Sequence, residues 1–198
     1  MLDKKIAVID TETTWYNNLM SIGVAVADSK SYKLVDKKYY IIDSNIEERG
    51  MYYNSLYINN IVPDNKCSKK QALDEISVFL KQLDIDNIFA YNALFDYGQL
   101  PELRDFKWHD IMKIAAYKQF NKKIPETEDC FKTGRLKKHF GVESIYRILS
   151  DDYFYFETHN AIFDAIDELK IMEMLDVPIT YYKEISSMHK WKKYKDKI

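Results

Sequence analysis

The apolar run Ile6-Ala7-Val8-Ile9 leads directly into Asp10-Thr11-Glu12-Thr13-Thr14, the pattern of a buried strand that ends in polar residues. A second strand is predicted over 19–27, with Met20, Ile22, Val24 and Val26 on one face, and a third over 33–42. Their short connections imply an antiparallel meander. The period then lengthens. Residues 69–83 read as a helix, with Ala72, Ile76, Phe79, Leu80 and Leu83 at helical spacing. A short apolar strand at 87–91 precedes predicted helices at 93–103, 110–120 and 133–140, the last stopped by Gly141. The clearest helix spans 160–175, with Ile162, Ile166, Leu169, Met172 and Leu175 down one stripe and Pro178 beyond its end. Strands as a meander, then alternating with helices, predict an α/β domain with a mixed sheet.

Composition adds limits to this picture. A chain of 198 residues that is 46% hydrophobic can build one core, so a single domain over 1–178 is expected, followed by a basic-aromatic tail over 179–198. The tail carries Tyr181-Tyr182-Lys183 and His189-Lys190-Trp191-Lys192-Lys193-Tyr194-Lys195, and it reads either as a helix packed on the domain or as a contact for single-stranded nucleic acid. The pairs Tyr39-Tyr40 and Tyr52-Tyr53 read as sheet and loop packing. A net charge of -2 does not exclude nucleic acid as a partner, because an acidic pocket can cancel a basic patch. Five glycines form no phosphate-cradling loop, which disfavours nucleotide-driven chemistry and dinucleotide cofactors. Cys67 and Cys130 lie outside any CxxC pattern, as in a reducing compartment, and no apolar stretch reaches spanning length. A soluble cytoplasmic protein without membrane contact is expected.

The polar end of the first strand carries the chemistry. Side chains alternate along a strand, so Asp10 and Glu12 point the same way. Two carboxylates side by side repel each other and resist desolvation unless a cation joins them, and hard oxygen ligands suit a divalent metal. Asp96 follows the strand at 87–91, and His159 and Asp164 flank the start of the helix at 160–175. Each alone has an ordinary explanation: a turn or capping residue for Asp10, a solvated neighbour for Glu12, a helix-dipole charge for Asp96, a cap for His159, an ion pair for Asp164. Together they supply four carboxylates and a histidine, the set that two-metal hydrolysis requires, with the imidazole taking a proton from the attacking water.

Three ordered motifs, Val8-Ile9-Asp10-Thr11-Glu12-Thr13-Thr14, Asn92-Ala93-Leu94-Phe95-Asp96 and His159-Asn160-Ala161-Ile162-Phe163-Asp164-Ala165, resemble the DEDDh branch of the 3′–5′ exonucleases over roughly residues 4 to 176. That group includes the proofreading epsilon subunit, ribonuclease T and oligoribonuclease. Ser21-Ile22-Gly23, Asp110 and Leu136 through Gly141-Val142 add secondary matches. The resemblance implies an RNase H-like fold with a five-stranded mixed sheet flanked by helices. It implies Asp10, Glu12, Asp96 and Asp164 as ligands of two divalent cations, Mg2+ or Mn2+, and His159 as general base. Thr13, Asn92 and Phe95 match substrate-contacting positions. The chain departs from the family at Trp15-Tyr16-Asn17-Asn18, at Ser21 and at Tyr91. Trp15 reads either as a ring stacked on the terminal base or as a packing residue.

The function expected on these grounds is release of nucleoside 5′-monophosphates from single-stranded DNA or RNA with a free 3′ end. Proofreading relatives add a polymerase as an expected partner. The rival is a non-catalytic RNase H-like module that docks on nucleic acid or a polymerase, although such a module has no need of a repulsive acidic cluster.

Overall fold

The computed structural model describes residues 4–186. Its centre is a mixed sheet of six strands in the order β4-β3-β2-β1-β5-β6. β1 (Lys5–Thr13), β2 (Leu19–Asp28) and β3 (Leu34–Ile42) form the antiparallel meander, and β4 (Asn65–Cys67) runs parallel to β3 at one edge. β5 (Asn87–Ala90) pairs parallel with the other side of β1, and β6 (Lys107–Asp110) closes that edge parallel to β5. The helices are α1 (Lys69–Gln82), α2 (Leu94–Gln99), α3 (Met112–Ala115), α4 (Val142–Ser150), α5 (Ala161–Leu175) and α6 (Ile179–Ile185). The first strand therefore lies inside the sheet and is buried on both faces.

Two apolar layers sandwich the sheet. α1 sets Ala72, Leu73, Ile76 and Leu80 against Ala7, Ile9, Ile22, Val24 and Val26 on one face. α5 sets Ala165, Leu169 and Met172 against Ile6, Val8, Ala25 and Ala27 on the other. α6 adds Ile179 and Tyr182 to that second layer. Each buried Leu or Ile contributes about 1.5–3 kcal/mol relative to exposure, so both layers fix the sheet's register. The register shifts between Glu12 and Thr13, and Met20 consequently joins Tyr39, Ile41 and Ala161 instead of the face of Ile22.

Several expected elements take a different form. The sheet has six strands, because β4 and β6 are too short to show a period. The segment 93–103 divides at Pro101 into α2 and a single 3-10 turn. The segment 110–120 is the end of β6 followed by the one-turn α3. No helix forms over 133–140. Arg135 lies between the rings of Phe131 and Phe140 (5.0 and 5.2 Å), Lys137 pairs with Asp129, and the Leu136 amide donates to the Ala116 carbonyl. These long-range contacts replace the helical ladder, and Gly141 starts α4 where a stop was expected. Residues 187–198, with Trp191 and the basic run around it, lie outside the described residues. Among the described residues no helix is long and apolar enough to cross a membrane.

Candidate active site

The candidate site lies where the carboxyl ends of β1 and β5 meet the start of α5. Asp10 pairs with Gly23 of β2, and Glu12 with Ser21. On the other side, Ala7 pairs with Ile88 and Val8 with Phe89, a register that, extended two residues past these pairs, sets Tyr91 level with Asp10. α5 packs over β1 and β2, and its start reaches β3. A Cβ added at Gly23 would fall 2.0 Å from the Ala161 carbonyl oxygen, so only glycine lets the helix start on β2. The Tyr91 amide donates to Glu168 Oε2 (3.0 Å), which anchors the helix two turns on, at β5. A helical turn rises about 5.4 Å and strands lie about 4.8 Å apart, so Asp164 falls over β1 between the two anchors.

Asn160 fixes the helix start. Its side-chain oxygen accepts from the Ile162 amide (3.3 Å), and its Nδ2 donates to the Ser55 carbonyl at 2.7 Å, with the Leu56 carbonyl and the Tyr39 hydroxyl also in reach. His159, immediately before this cap, has a φ of 52°. Its ring stacks on Tyr52 at 3.8 Å between centroids. Tyr52, expected as loop packing, therefore packs on the site histidine. The ligand atoms of Glu12, His159 and Asp164 all lie within 4.8 Å of one another.

Asp10 and Asp96 lie outside that group of ligand atoms and are coupled to it by charge repulsion. Asp96 sits in the first turn of α2 and accepts a hydrogen bond from the Thr11 hydroxyl (2.7 Å). Asp10 keeps some exposure, but its Oδ2 is sealed from solvent without a hydrogen-bond partner. Asp164 accepts from the Thr158 hydroxyl at 3.2 Å. Two acids absent from the sequence expectation join them. Glu168 is buried on α5, and Glu157 precedes His159, its amide donating to Glu143. The signal for Glu168 was its i+4 spacing from Asp164 within an otherwise apolar face. Glu157 carried no comparable signal.

Burial without a counter-charge shifts these groups together. Desolvation raises Asp10 well above the usual carboxylate range, with repulsion from Glu168, Asp96, Asp164 and Glu12 adding to it. Burial, then Glu157 and Asp96, pushes Glu12 up to about 8. Asp164 rises to about 9 through burial, Glu157, Glu12 and Asp167. Burial lifts Asp96 to about 7 against the hydrogen bonds that lower it. His159 is lowered by burial, with Glu143 opposing. Glu12, His159 and Asp164 together offer the oxygen and nitrogen donors that a divalent cation can take.

The expected substrate positions follow the ends of β1 and β5. Thr14 holds the turn after β1, its hydroxyl donating to Glu48 and accepting from the amides of Tyr16 and Asn18. On that turn Trp15 is 64% exposed, so it is not a core residue. Asn92 adopts a φ of 59° with its amide donating to Asp110. Phe95 presents a partly exposed ring at the head of α2, and Thr13 is half-buried at the bulge.

No protein-family model matches the chain, and no curated protein matches its sequence. Solved structures do share its fold. A full-length 3′-exonuclease superimposes with a TM-score of 0.63 at 14% identity, covering 94% of this chain and 86% of that one. The nuclease domain of 3′hExo, a DEDDh family member bound to rAMP, gives 0.58 at 14% identity, with 94% and 96% covered. E. coli Exonuclease I in complex with a dT13 oligonucleotide gives 0.58 at 12% identity, and this chain covers 43% of its length. The architecture is the RNase H-like α/β fold of exonucleases, a mixed sheet flanked by helices.

Proposed function

We propose that this chain is a divalent-metal-dependent 3′–5′ exonuclease of the DEDDh type, acting on single-stranded nucleic acid. One observation carries this reading: Glu12, His159 and Asp164 converge within 4.8 Å beside the orphaned Oδ2 of Asp10, on a fold shared with 3′-exonucleases. Asp10, Glu12, Asp96 and Asp164 would hold two cations, Mg2+ or Mn2+. When bound, such ions stabilise charge on the phosphoryl oxygens and acidify the attacking water. His159, depressed toward its neutral form, accepts the water's proton and returns it to solvent. Thr13, Asn92, Phe95 and Trp15 receive the 3′-terminal nucleotide, with the exposed indole stacking on its base.

The test is cleavage of 5′-labelled DNA and RNA oligomers with manganese. Asp10→Ala and Asp164→Ala should abolish shortening from the 3′ end while the chain stays folded. His159→Ala should lose about 10²–10⁴ in turnover, the range of general acid–base catalysis. Full activity in Asp10→Ala would overturn the metal assignment, and an unaffected turnover in His159→Ala would remove it as the base.

A further inference from the structure

The proposed chemistry leaves Glu168 unused. This carboxyl is 2% exposed, and it stands one turn beyond Asp164 between the core residues Ala165 and Leu169. Burial and repulsion from Asp96 and Asp164 hold its carboxyl well above the usual range, and the Tyr91 amide that donates to it offsets this only in part. A glutamine would keep that bond without the charge. Register carries Tyr91 to the side of Asp10, so Glu168 reaches the sheet next to the strand that bears Asp10. The Oδ2 of Asp10 is buried there without a partner.

We propose that Glu168 is a fifth carboxylate of the metal site, lying behind Asp10 and strengthening cation binding through its charge. This rests on the metal site of the preceding section. After burial, Glu168 is the foremost influence on Asp10, ahead of Asp96, Asp164 and Glu12. It is a positioning residue that acts through Asp10 and the Tyr91 turn. Groups that support metal ligands in this way typically contribute about 10–100-fold to metal affinity.

Thermal melting of the whole chain across a manganese titration tests it without any turnover. Glu168→Gln should need about 10-fold more manganese, or more, for half of the full stabilisation. Its metal-free melting temperature should equal or exceed that of the wild type. Glu168→Asp keeps the charge but shortens the reach to Tyr91, and should titrate closer to the wild type than Glu168→Gln does. A Glu168→Gln protein that titrates like the wild type, or better than Glu168→Asp, would overturn the inference and assign Glu168 to the Tyr91 bond. A Glu168→Gln chain that fails to fold would also overturn it, giving the carboxylate a role in the fold itself. In each case a manganese shift lost in Asp10→Ala leaves the metal site standing. A wild type with no manganese shift would remove both.

Discussion

Asp96, Glu12 and Asp164 titrate at about 7, 8 and 9 in the folded chain, whereas unfolded carboxyls titrate at about 4. The folded state thus binds more protons than the unfolded one over that interval, so stability falls as pH rises through it. The metal-free melting temperature should decline between about pH 5 and pH 9, and Asp164→Asn should flatten the decline. Saturating manganese should flatten it too, because the cation selects the ionised carboxylates. A melting temperature that climbs over the same interval would show that the acids do not face one another. At this scale strand alternation put Asp10 and Glu12 on one side of β1, and the ordered motifs singled out His159 and Asp164, which the fold brings to Glu12. Tyr52 was not: nothing local at position 52 announces a ring stacked on His159, a contact made only when the loop after β3 folds onto the head of α5.

α5 ties the site together through two small features. Asn160→Ala removes the cap and leaves the Ser55 carbonyl without its donor, while the Tyr39 hydroxyl still donates to the Leu56 carbonyl, so a loss of about 2 kcal/mol in urea unfolding is expected. Gly23→Ala drives a methyl into the Ala161 backbone and should cost about 3 kcal/mol, or lift the helix from β2 and reduce turnover with it. A Gly23→Ala chain with wild-type stability would mean that the helix start rides higher than described. β1, β2, β3, α1 and α5 were legible because each is long enough to repeat its period against a core layer. β4 and β6 span 3 and 4 residues and repeat nothing. The segment 133–140 has helix-forming lysines, but Arg135 between two phenyl rings and Leu136 in the core decide its path. Local propensity yields there to long-range contacts.

At the scale of the whole molecule, Trp15 and Phe95 are exposed rings on the segments that follow β1 and β5, the strands whose ends carry the proposed site. Pulling a terminal base out of a duplex costs a few kcal/mol that a single strand largely escapes. Single-stranded 3′ ends should therefore be shortened faster than blunt duplex ends, and Trp15→Ala should narrow the gap by slowing the single strand most. Rates measured on matched labelled oligomers decide this, and an unchanged ratio in Trp15→Ala would leave the indole without a role in end selection. The acids themselves come from distant stretches of chain: Asp10 and Glu12 from the first strand, Asp164 and Glu168 from a helix roughly 150 residues later. At about 5–20 residues per second, translation separates their appearance by on the order of 10 s. Throughout that interval the nascent chain lacks Asp164 and the helix that carries it, and until Asp96 is made it holds only Asp10 and Glu12 of the four proposed ligands. An activity that needs Asp164 cannot begin before α5 has left the ribosome, so the order of the elements along the chain would itself time the onset of the proposed chemistry.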